Sequence, residues 1–208
     1  MRRTLVALAL IILAACSRVG REQHAAGTLV VALRQEPIAL NPLVLEGPSA
    51  FAVSEFFYSY LTNYDADGNI IPDLATYTVG RDNTTITYHL RHGVRWQDGS
   101  PFSSRDVVFT YRAIMNPANN LPLRYGYDRV ASVTAPDPYT VVVRTKVPFS
   151  PIINWFFGGD NNYAILPAHL LATLPNINHV SFNAAPVGTG PYRLERWERG
   201  NRLSLIHI

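Results

Sequence analysis

Residues 84–115 read TTITYHLRHGVRWQDGSPFSSRDVVFTYRAIM and pass from a strand through a turn into a helix. Over Thr84–Leu90 the pattern alternates. Ile86, Tyr88 and Leu90 share one face, and Thr85, Thr87 and His89 the other. Successive side chains of a strand point to opposite faces, so this is a half-buried strand. Gln97-Asp98-Gly99-Ser100-Pro101 is turn chemistry, in which Gly99 supplies a positive φ. Ser103, with Asp106 three positions on, reads as a capping box. Val107, Val108, Tyr111, Ile114 and Met115 continue the helix, and Asn116-Pro117 ends it.

Elements of both kinds continue on either side. Thr28–Leu33 is an almost wholly apolar run and predicts a buried strand. Glu36-Pro37 and Asn41-Pro42 break regular structure, because each proline pushes the residue before it out of the helical region. Ser49 is placed to cap a helix over Ala50–Leu61 containing Phe51, Phe56 and Tyr60. Asp65-Ala66-Asp67-Gly68-Asn69 is a turn. Val130–Thr134 and Tyr139–Thr145 flank Ala135-Pro136-Asp137-Pro138 and predict a hairpin. Ser150–Phe157 and Ala168–Leu174 read as short helices, and Thr189–Trp197 and Arg202–Ile208 as strands around Gly200-Asn201. Strands and helices without a regular beta-alpha-beta rhythm point to a mixed α/β domain. Since the sequence stops inside an expected strand, it is expected to be part of a longer protein.

The N-terminus carries a different signal. Met1-Arg2-Arg3 precedes an unbroken apolar run, Leu5–Ala15, which is too short to span a bilayer and reads as a secretory signal. Leu13-Ala14-Ala15-Cys16 resembles the lipobox of bacterial lipoproteins, which makes Cys16 the expected lipid attachment site. The expected organisation is a signal over 1–15, a flexible tether over 16–27 and a folded domain over 28–208. Of 208 residues, 48% are hydrophobic and 16% charged, as in a globular protein. Removing Arg2 and Arg3 from the 18 basic residues leaves sixteen against fifteen acidic, with no basic cluster and no support for nucleic-acid binding. A single cysteine excludes an intramolecular disulfide.

Several segments occur together in a familiar order. They are Glu36-Pro37 with Leu40-Asn41-Pro42; Tyr64–Gly68 with Ile71-Pro72-Asp73-Leu74-Ala75; Thr87–Gly99 running on through Pro101–Phe109; and Pro186-Val187-Gly188-Thr189-Gly190-Pro191-Tyr192. Taken together, from about Thr28 onward, the chain resembles the solute-binding proteins of bacterial peptide and nickel ABC importers, extracellular family 5. The resemblance implies a bilobed, class II periplasmic-binding-protein-like α/β fold, of which this chain is the N-terminal portion without the second lobe. It also implies a monomer that captures peptides in the periplasm or at the cell surface and delivers them to a membrane permease. Relatives taking nickel complexes, haem or sugars leave those ligands as alternatives.

No cofactor is expected, and the chain lacks a Gly-x-Ser-x-Gly elbow, a His-Glu-x-x-His motif and a cysteine nucleophile, so an enzyme is not expected. A lipid-anchored adhesion module is the remaining class. His89 and His92, three apart at a strand end, do not project together as ligands and are expected to be solvated or hydrogen-bonded. Gly188-Thr189-Gly190-Pro191 lacks the lysine and glycine pattern of a phosphate loop and is expected to let the chain cross between lobes. A ligand cleft needs apolar and aromatic walls with a few polar groups. Three loops suit this: 41–49, 123–127 and 158–162. The candidate ligand contacts are Asn41, Glu46, Tyr125, Tyr127, Gly159 and Asn161.

Overall fold

The computed structural model describes residues 27–44, 47–121, 124, 126–159 and 163–208. The chain divides into two units, Met1–Leu33 and Arg34–Ile208. In the first, the described residues form no helix or strand and are exposed, with Leu29 at 84%. The buried strand expected over Thr28–Leu33 is therefore corrected. An apolar run becomes a strand only in a ladder, and among the described residues none forms with it.

The second unit is organised around a four-stranded antiparallel sheet in the order β3-β4-β6-β5. Its strands are β3 (Ala75–Val79), β4 (Thr85–Leu90), β5 (Val130–Asp137) and β6 (Thr140–Thr145). Register sets Tyr88 opposite Tyr77 on one side and Val141 on the other. The alternation read from sequence is the burial observed: Ile86, Tyr88 and Leu90 lie inside at 2%, 0% and 3% exposure, as do Val141 and Val143. Two shorter antiparallel pairs complete the strands, β1 (Thr62–Tyr64) with β2 (Ile70–Pro72) and β7 (Tyr192–Glu198) with β8 (Arg202–His207). The helices are α1 (Pro48–Phe57), α2 (Ser104–Met115), α3 (Ile152–Trp155) and α4 (Ala168–Leu171).

Helix α2 begins as its sequence dictates. The Ser103 backbone N–H donates to Asp106 Oδ2 at 2.9 Å. Asp106 is buried, and its second oxygen accepts the backbone N–H of Ala168 at 2.9 Å, which ties the starts of α2 and α4 together. Burial raises this carboxyl against the pull of those bonds. Val107, Thr110, Ala113 and Ile114 face inward.

Helix α1 ends four residues short of the expected Leu61. The segment after it has better partners: Tyr60 N–H donates to Asp73 Oδ2 (2.9 Å) and Leu61 N–H to the Phe157 carbonyl (2.7 Å), while the Tyr60 carbonyl accepts Leu74 N–H (2.8 Å). These bonds require extended backbone. The first residue of α1 is Pro48, preceded by Gly47 at the N-cap rather than the expected Ser49.

Candidate ligand-contact region

The region is built on residues 157–159, which run beside β1. Leu61 N–H donates to the Phe157 carbonyl, Gly159 N–H donates to the Thr62 carbonyl at 3.1 Å, and Thr62 pairs with Gly158 in a parallel bridge. Gly159 meets a steric need here, because a Cβ would sit 2.6 Å from Asn63 Oδ1. Phe157 is buried and has φ 54°, a left-handed conformation that bulky residues rarely take. Its surroundings over-determine it. Tyr127 Oη accepts the Phe157 N–H at 3.2 Å, and the Phe157 ring lies 4.7 Å from Phe156 and 5.4 Å from Tyr127.

Tyr127 is the hub of this cluster. It is 1% exposed, and its ring centroid lies 5.9 Å from Phe156 and 6.0 Å from Tyr163. Just before it, Gly126 has φ 89°, and a Cβ there would lie 3.1 Å from the Trp155 ring. The described parts of two loops named from sequence, Gly126–Tyr127 and Gly158–Gly159, thus come together through Trp155 and Phe157. What they contribute together is buried aromatic packing, and the main-chain groups of Phe157 and Gly159 are already paired with Leu61, Tyr127 and Thr62.

The expected contact residues divide clearly. Gly159 is half-buried beside Asn63. Tyr127 is placed beneath the surface, where its ring packs and its hydroxyl holds Phe157. Asn41 is also fully buried and belongs to a different cluster. Its Oδ1 accepts the Leu43 N–H at 3.0 Å and its Nδ2 donates to Asn183 Oδ1 at 2.9 Å, so its amide is spent on fixing the start of its loop. Glu46, Tyr125, Asn161 and Cys16 lie outside the described residues. The His92 ring stacks on Tyr139 at 3.8 Å. Among the described residues, no three His, Cys, Asp or Glu side chains gather as a metal site, and no helix is long and apolar enough to cross a membrane.

Gln97, read from sequence only as part of the turn 97–101, clasps the segment before β7. Its Nε2 donates to the carbonyls of Tyr192 (2.6 Å) and Gly190 (3.1 Å), and its Oε1 accepts the Gly188 N–H (3.1 Å). Gly188 and Gly190 lie flush against the end of α1. A Cβ would fall 1.8 Å from the Phe57 carbonyl oxygen at Gly188 and 2.6 Å from the Phe57 carbonyl carbon at Gly190. The two glycines serve close backbone approach, and no phosphate loop is formed.

A family model described as bacterial extracellular solute-binding proteins, family 5, middle region, matches residues 69–206. The chain belongs to this family. The match takes in the four-stranded sheet, α2, the aromatic cluster, the Gln97 clasp and most of the β7–β8 hairpin. Among family 5 relatives, the glutathione-binding protein GsiB of Escherichia coli (strain K12) is 34% identical over 176 residues, which is 84% of this chain and 33% of that protein. The structure of NikZ from Campylobacter jejuni in complex with Ni(L-His) superposes with a TM-score of 0.77 at 30% identity, over 86% of this chain and 35% of that one. The oligopeptide-binding protein AppA from Bacillus subtilis, in complex with a nonapeptide, gives 0.78 at 25% identity, over 83% and 34%. The chain spans about a third of the length of the curated relatives it matches. Its fold is accordingly part of the bilobed α/β periplasmic-binding-protein architecture.

Proposed function

We propose that this chain is part of the substrate-binding component of an ABC importer, which captures a peptide outside the cytoplasm and hands it to a membrane permease. The observation that carries this reading is the 34% identity to a glutathione-binding protein over 84% of the chain, since glutathione is itself a short peptide. The superposition on a nonapeptide-bound protein supports the same ligand class. The component binds and releases its ligand without chemistry, and Cys16 carries the lipid that keeps it at the membrane. A nickel complex is the second reading, favoured by the likeness to NikZ.

The test uses the full-length protein, with calorimetric titration of glutathione, a peptide mixture and Ni(L-His) in separate arms. Saturable binding of a peptide, recovered intact by mass spectrometry, is the expected result. Binding confined to the nickel complex would replace the peptide reading, and hydrolysis of the ligand would overturn the binding-protein reading altogether. For the anchor, an alkyne fatty acid fed to cells is expected to label the wild type and not Cys16→Ser.

A further inference from the structure

One side of helix α2 borders a groove of about 850 Å³, closed by β5 and by residues 168–177, at whose floor Phe109 and Val133 pack half-buried against the core. Val108 and Phe109 of α2, Val133 and Ala135 of β5, and Leu174 give it an apolar lining. The groove follows α2 from Ser103 to Asn116, about 20 Å at 1.5 Å per residue. β5 ends the sheet order, so its second edge has no strand partner among the described residues. Pro136, near the end of that edge, interrupts its row of N–H donors.

The charges on this groove are lopsided. Arg105 and Arg112 are exposed, stand two helical turns apart on one face of α2, and flank Phe109. Neither guanidinium has a hydrogen bond or ion pair among the described residues, although Arg95, Arg124 and Arg199 all use theirs on backbone carbonyls. Asp137 is the acidic residue of the lining, and its Oδ1 already accepts the Tyr139 N–H at 2.8 Å. Two free cations about 10 Å apart, with apolar surface between them, call for an occupant with matching anions.

We propose that this groove docks an acidic amphipathic helix of a partner protein. Its carboxylates, seven residues apart, meet Arg105 and Arg112, and its apolar side chains rest on Phe109, Val133 and Leu174. A helix repeats its own face over seven residues with a rise of about 10 Å, the spacing of the two arginines. The inference does not depend on which solute the protein carries.

The probe is a fluorescein-labelled 14-residue helical peptide with a leucine face and two glutamates seven residues apart, followed by anisotropy on the full-length protein. A second peptide replaces both glutamates with lysine. The glutamate peptide is expected to bind saturably and to lose at least tenfold in affinity on R105E/R112E, whose exposed positions leave the melting curve unchanged. The lysine peptide is expected to prefer that variant over wild type. Ala135→Trp, which fills the groove from β5, is expected to weaken the glutamate peptide as well.

Saturating the transport site with its solute should change none of this. Displacement of the probe by that solute, with R105E/R112E binding as wild type does, would mean that the peptide enters the solute cleft. That outcome overturns the docking proposal while leaving the proposed function standing. Absence of saturable binding overturns it too, because the rest of the protein's own chain then covers the groove. So does binding of phosphatidylglycerol vesicles through the two arginines in place of the peptide, since the partner is then a membrane.

Discussion

The sheet with α2, residues 75–145, and the region joining α1 to the segment before β7 are held together by different means. In the first, most pairings are local: β3 pairs with β4 across the Gly80–Thr85 turn, β5 with β6 across Pro138, and α2 is capped by its own Ser103 and Asp106, while the central β4–β6 ladder alone joins distant strands of the sheet. In the second, the bonds span long separations: Ser59 to Thr189 is 130 residues, Asn41 to Asn183 is 142, and Gln97 to Gly190 is 93. The first region tolerates change as any packed core does. The second depends on a few close contacts between distant segments.

That contrast breaks most sharply at the glycines. Gly188→Ala places a methyl group inside the Phe57 carbonyl, and the backbone has to move to admit it. The expected loss is roughly 3 kcal/mol or more, read by urea denaturation of the full-length protein. A loss under about 1 kcal/mol would show that the segment can shift freely, and the contrast would fail.

Gln97→Ala should come next. It strips the partners of the Gly188 N–H and the Gly190 and Tyr192 carbonyls, for about 2–3 kcal/mol. Tyr127→Phe leaves the ring packing and removes one of the two acceptors of the buried Phe157 N–H, the Trp155 carbonyl at 3.0 Å remaining, which should cost about 0.5–1.5 kcal/mol. Its measurable signature is faster amide exchange at Phe157.

The smallest effects belong to the sheet region. Tyr88 Oη is buried with no hydrogen-bond partner among the described residues. Tyr88→Phe is therefore expected to be neutral or stabilising by up to about 1 kcal/mol, in thermal melts. Asp98 gives a pH test. Burial pushes its carboxyl up, but the bonds from His169 and Ser100 outweigh this and hold it below the usual carboxylate range. A lowered folded-state pKa adds stability above the unfolded-state value, near 3.9, which is lost as pH falls through the folded value. Wild type should accordingly lose more stability than Asp98→Asn between about pH 5 and 3.

Legibility follows the same division. Thr84–Leu90 announced its buried face by alternation, and α2 announced its start and stop by Ser103, Asp106 and Pro117, because those signals are local. The hairpin at Ala135–Pro138 was legible for the same reason. Strands β1 and β2 are three residues each, too short to carry a period, and only the turn between them was visible. The end of α1 was misplaced because Asp73, Leu74 and Phe157 decide it, and no window around Phe57 contains them. Among the candidate contacts, Tyr127 drew notice as an aromatic in a glycine loop. Whether such a ring faces outward or inward depends on Phe156, Phe157 and Tyr163, some thirty residues away, and the loop itself does not state it. The glycines at 188 and 190 were visible, but their purpose was not until Phe57 stood against them.

The bond from Gly190 N–H to the Phe57 carbonyl has a consequence for the order in which the molecule assembles. Contacts of high contact order form late, because loop-closure entropy is lost before the contact rewards it. As the chain emerges from the ribosome, strands β3 to β6 and α2 can collapse as soon as Thr145 is free. The end of α1, made long before, waits for Gly190 and stays undocked until nearly the whole of this sequence has been synthesised. A nascent chain whose residues up to 150 have cleared the ribosome should thus protect the amides of β4 and leave those of Phe57 and Tyr58 open to exchange.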